Sequence, residues 1–273
     1  MLTNHATLQK ALRLNKLPAL KVKRKKPSQP ALGFTLVELL VVITSIALLL
    51  SILISSLGKA RTASMRIKCA HNLRQINIAV NLYLNGNNDT YPCTNDPRAP
   101  GIWLWMGRGW RAFVEPYLGD KVGPKNDSVL FCPQDNAAKT SGISGDDFGY
   151  TSYAYSMAFY HSPQQIDTMD CTEKHQEQWD ENFVQNSVPQ RSCDVSKSSG
   201  KILIGEWDSN HSRIDVDSRW WHRGWWCWQG ARNYLFADGH TAFIEAVDIR
   251  KANDGNPNPN LTIHGVKGLD WPR

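Results

Sequence analysis

Gly33-Phe34-Thr35-Leu36-Val37-Glu38 joins two stretches of opposite character, a basic leader without acids and a long apolar run. From Phe34 to Leu57 the run is 24 residues with Glu38 as its only charge. At about 1.5 Å per residue, a helix of that length reaches roughly 36 Å, enough to cross a bilayer. A secretory signal has a shorter apolar core, about 7–15 residues, and ends at a small-residue cleavage site. Here Gly58-Lys59-Ala60-Arg61 follows instead, so the run is expected to stay as a membrane anchor.

Glu38 calls for its own explanation, because an unpaired carboxylate in a membrane helix costs about 2.5–3.5 kcal/mol on insertion scales. Cleavage between Gly33 and Phe34 would create a positive α-amino group on Phe34, one helical turn before Glu38. The carboxylate could pair with that amine or, in a packed assembly, with the amine of a neighbouring subunit. The plainer alternatives are a Glu that snorkels to the headgroups or one that stays protonated.

The stretch Gly33-Phe34-Thr35-Leu36-Val37-Glu38-Leu39-Leu40-Val41-Val42-Ile43 resembles the cleavage and methylation signature of type IV pilins and type II secretion pseudopilins. The resemblance covers the junction and the whole apolar helix. It implies that a prepilin peptidase cuts after Gly33, that Phe34 becomes the N-methylated first residue, and that Glu38 guides subunit addition to a filament. The implied partners are that peptidase, other pilin or pseudopilin subunits and the bacterial inner membrane, crossed once with the N-terminus cytoplasmic and the head periplasmic or otherwise extracytoplasmic. Two features depart from the pattern: the leader is 33 residues long, and no proline occurs between Ala31 and Tyr91, where many relatives carry one in the membrane half. Gly58 and the Ser55-Ser56 pair remain as places to loosen the helix.

The expected fold class is α+β and pilin-like, a long N-terminal helix packed on an antiparallel sheet with long loops. Residues 1–33 form the removed leader, 34–57 the membrane half of the helix, 58–84 its amphipathic half and 85–273 the head. Within the head, 163–199 reads as a polar loop insertion and 251–273 as an irregular tail. Leu73, Ile76, Val80 and Leu84 recur at three- and four-residue steps, and Gly86-Asn87 gives a stop signal. A helix from Phe34 to Leu84 would be about 76 Å long, and its second half must lay that stripe on the head. Cys69-Ala70-His71-Asn72-Leu73-Arg74-Gln75-Ile76 is similar to the matching part of a pseudopilin-like subfamily, with His71 read as a solvated or capping side chain and not a ligand.

The leader holds eight of the chain's 31 basic residues and no acid, leaving 23 basic against 25 acidic residues beyond it. Overall basicity therefore belongs to the leader and gives no nucleic-acid reading; the Lys21–Lys26 cluster reads as a cytoplasmic anchor or retention signal. Strands are expected at Val129–Cys132, Tyr150–Tyr160 and Lys201–Trp207. Asp238-Gly239, between Asn233–Ala237 and His240–Ile244, predicts a two-residue type I′ hairpin. The hairpin also resembles a C-terminal His-X9-Asp-Gly element of pilin-like proteins, although fifteen residues separate His222 from Asp238.

Six cysteines on the oxidising side of a membrane suggest disulfides, and Cys93 with Cys132 and Cys171 with Cys193 are the pairings favoured. No pair has the CxxC spacing of a zinc site. Six of the eleven tryptophans fall within 22 positions, and Trp220, Trp221, Trp225, Trp226 and Trp228 could form a binding face for sugar or protein, or pack a loop-rich core. Asp208, Asp215 and Asp217 are candidate Ca²⁺ ligands, with a solvated acidic loop as the alternative; no other cofactor is expected. Nothing resembles a nucleophile elbow, a zincin helix or a phosphate-cradling loop. The expected function is a non-enzymatic filament subunit. The alternative is a membrane-anchored binding protein that uses its tryptophans.

Overall fold

The computed structural model describes residues 33–93, 104, 109–119, 128–135, 151–169, 187–212, 214, 224–225, 229–253 and 255–272. The chain divides into two compact units, one ending at Leu53 and the other beginning at Ile54. Helix α1, Leu36–Gly86, contributes to both.

The first unit is the apolar start of α1. Its Leu, Ile and Val side chains are exposed throughout, and among the described residues this is the one helix long and apolar enough to cross a membrane. Thr44, Ser45 and Ser51 return their hydroxyls to carbonyls three or four residues back, so these three need no outside partner.

The second unit is the head. Strands β1 (Tyr153–Tyr155), β2 (Ile202–Glu206), β3 (Ala231–Phe236) and β4 (Thr241–Glu245) form one antiparallel sheet in the order β1-β2-β3-β4. The chain is thus α+β, a long N-terminal helix with a four-stranded antiparallel sheet. Both faces of the sheet are covered. On one, Tyr153, Tyr155, Leu203 and Leu235 share a core with Leu73, Ile76, Val80 and Leu84 of α1; the expected stripe is the buried face. On the other, Ala154, Ile202, Tyr234, Phe236 and Ile244 pack with Trp225.

Alternation breaks at one place in β2. Ile202 pairs with Phe236 and Ile204 with Leu235, so Leu203 and Ile204 together face one partner residue and both join the α1 core. This is a β-bulge, and it reverses the facing of every later residue in the strand. Gly205 turns toward Tyr234 and Trp225, which sends Glu206 toward α1.

Several expectations are corrected. Val129–Cys132 is a turn, not a strand; Leu130, Phe131 and Cys132 are buried through a loop held by Asn72 Nδ2, which donates to the Phe131 carbonyl at 3.3 Å. Of the Tyr150–Tyr160 run, the described residues 151–160 are strand only over Tyr153–Tyr155, since Ser156 caps a 3₁₀ turn over Met157–Phe159. Within the expected insertion, Pro163–Thr168 is a helix with a Ser162/Gln165 capping box. The hairpin exists, but Phe236 pairs with His240 across three residues. Gly239 alone takes positive φ, at 90°, which is the three-residue loop and not type I′.

The tail from 251 is irregular but packed. Leu261 and Val266 are buried, and Asp270 accepts from the Ile202 N–H at 2.7 Å while pairing with buried Lys201 at 3.1 Å.

Candidate functional site

At the start of α1, Thr35 and Glu38 cap the helix reciprocally. The Thr35 N–H and hydroxyl each donate to Glu38 Oε2 at 2.8 Å, and the Glu38 N–H donates to Thr35 Oγ1 at 3.2 Å. The Thr-x-x-Glu spacing before an apolar run announces this box in the sequence. The carboxylate therefore has local donors. Gly33 and Phe34 lie just outside the helix and are exposed.

In the head, four chemically active side chains converge. Cys69 comes from α1, Cys132 from the loop after Ser128, Glu206 from the bulged end of β2 and His211 from the turn that follows. Their ligand atoms all lie within 4.8 Å of one another and all four residues are buried. Cys69 Sγ is 2.7 Å from Cys132 Sγ. His211 Nε2 lies 3.4 Å from Cys132 Sγ and 3.0 Å from Glu206 Oε1.

Three of the four are held from outside the cluster. Asn233 donates to Glu206 through its N–H and its Nδ2, each at 2.9 Å. The His211 turn is tied to β3 by Ser209 and Ser212, whose hydroxyls accept from the Ala231 N–H. Asp135 accepts from Ser152 Oγ at 2.6 Å, which fixes the far end of the Cys132 loop.

The cluster shifts its own acidities. The Cys69 hydrogen bond, opposed by burial and helped by His211, lowers the Cys132 thiol to about 7. The same hydrogen bond and burial push Cys69 up. Burial opposes charge on His211, but bonds to Cys132 and Glu206 outweigh it and raise the ring to about 9. A Cys–His–carboxylate set can suggest a nucleophile and its base, yet here Nε2 faces both the thiol and the carboxylate while Nδ1 has no partner among the described residues. An orienting acid belongs on the opposite nitrogen, so this is not relay geometry.

Compared with known family models, curated proteins and solved structures, the chain finds no match.

The structure separates the expected site residues. Trp225 does not join a binding face: it is fully buried against the sheet, where its ring meets Gly205. Trp220, Trp221, Trp226 and Trp228 lie outside the described residues, as do His222, Asp215, Asp217 and Cys171. Asp208 belongs to no metal-capable group among the described residues. Cys132 meets Cys69, and no disulfide joins it to buried Cys93; the Asn72 bond to Phe131 places its loop against α1. Cys193 is an exposed thiol. Asp238 bonds His240 Nδ1 within the hairpin at 2.6 Å, and Gly239 lies against Asn77 of α1.

Proposed function

We propose that the chain is a non-enzymatic structural subunit of a type IV pilus-like filament or type II secretion pseudopilus, cut after Gly33 by a prepilin peptidase and anchored in the inner membrane by α1. The observation that carries this is the coincidence of two boundaries at one helix. The pilin-like junction Gly33-Phe34 stands immediately before α1, and α1 combines an exposed apolar beginning with a later stripe buried against an antiparallel sheet.

Assembly rests on the apolar helices packing together. Processing would place a charged amine on Phe34, and Thr35 would remain to cap the helix with Glu38. A carboxylate already bonded twice by Thr35 keeps lone pairs for one more donor. The amine of an adjacent subunit fits that role.

Glu38→Gln retains a capping side chain and the apolar surface but removes the charge. Shearing cells and sedimenting filaments should show the variant processed, membrane-bound and missing from the polymer. Equal incorporation of Glu38→Gln and the natural chain would refute the electrostatic role.

A further inference from the structure

We propose that Cys69, Cys132, Glu206 and His211 form a tetrahedral site for one Zn²⁺ ion, joining α1 to the sheet. The donor set selects the metal: two thiolates, an imidazole and a carboxylate suit zinc, whereas Ca²⁺ and Mg²⁺ take oxygen ligands. Zinc sits about 2.3 Å from sulfur and about 2.0–2.2 Å from nitrogen or oxygen, so tetrahedral donors stand about 3.6 Å apart for S and N and about 3.4 Å for N and O. The observed 3.4 Å and 3.0 Å lie close to these values. The sulfurs, at 2.7 Å, must open by about 1 Å to share a metal.

The surroundings also fit an ion. The Asn233 bonds to Glu206 orient a ligand from its second side. His211 also lines an open depression with Gly58, Lys59, Thr62, Ala63 and Arg66, so one ligand stands at a route from solvent. A cystine between the same sulfurs would use two of the four groups and leave Glu206 and His211 only each other as partners within the cluster. An ion uses all four, and its two positive charges offset most of the three negative ones.

The test uses the full chain, extracted in detergent and purified anaerobically without chelator or reductant. Elemental analysis should find about one zinc per chain, with Cys69 and Cys132 open to alkylation only after the metal is stripped. Cys132→Ser and His211→Ala should each lower zinc content about tenfold or more at a fixed free-zinc concentration. Should these variants misfold, Co²⁺ exchanged into the natural chain should show a thiolate-to-cobalt charge-transfer band. A Cys69–Cys132 cystine peptide with no zinc, full zinc retention in both variants, or cobalt binding without that band would each overturn the proposal.

Discussion

Replacing Asp270 by Ala isolates the most demanding electrostatic feature of the head. Lys201 is fully buried, with its ammonium 3.1 Å from Asp270 Oδ2 and 2.5 Å from Thr262 Oγ1. Asp270 is almost as buried; it also accepts from Thr262 Oγ1 and from the Ile202 N–H. Removing one partner of such a pair costs about 3–5 kcal/mol, and the orphaned N–H adds about 1–3 kcal/mol. The ammonium can escape by losing its proton. From an unfolded value near 10.4, that costs about 4.6 kcal/mol at pH 7, which caps the charge part of the penalty.

A loss of at least about 4 kcal/mol, with a urea slope of about 3 kcal/mol/M, lowers the unfolding midpoint by roughly 1.3 M or more. Tryptophan fluorescence of the full chain in detergent provides the assay. The sign with pH is fixed. In Asp270→Ala the folded-state Lys201 value lies below the unfolded one, so the unfolded chain binds more protons between them, and the variant gains stability as pH rises toward 10. At pH 10 neutralisation costs only about 0.5 kcal/mol, and the penalty should fall by more than half. A loss under about 1 kcal/mol, or one equal at both pH values, would refute the reasoning.

Burial pushes the His161 imidazole down from 6.5 to about 4. The unfolded chain therefore takes up its proton first as pH falls, and stability should decline between about 6.5 and 4 by about 3 kcal/mol; His161→Gln should flatten that decline in denaturant titrations. Ile76→Ala, at a fully buried position on α1, should cost about 2–5 kcal/mol by the same assay. Gly239→Ala puts a side chain at φ 90°, with its Cβ 2.6 Å from Asn77 Nδ2, and should cost about 1–2 kcal/mol in thermal unfolding.

Helix α1, its buried stripe, β2 and the final hairpin were legible because each depends on local periodicity or a single turn. Leu73, Ile76, Val80 and Leu84 needed only helical spacing. Val129–Cys132 misled because an apolar run of four fits a strand or a buried turn equally well, and the deciding bond from Asn72 comes from 59 residues away. Asp238-Gly239 was recognised as a turn but assigned the wrong loop, since the register across β3 and β4 sets the loop length. The four-residue cluster was hidden for two reasons. Cys69 and Cys132 are 63 positions apart, which no spacing rule covers, and Glu206 reaches them only because a bulge turns it to the α1 face. The Trp-rich stretch suggested a surface, whereas Trp225, within the described residues, fills the core.

The most direct test of the filament-subunit account is the intact mass of the full-length gene product extracted from membranes of cells with an active prepilin peptidase. The account predicts a chain that begins at Phe34, lacks residues 1–33 and carries one added methyl group on its amine. A full-length, unmethylated N-terminus in those cells would contradict it.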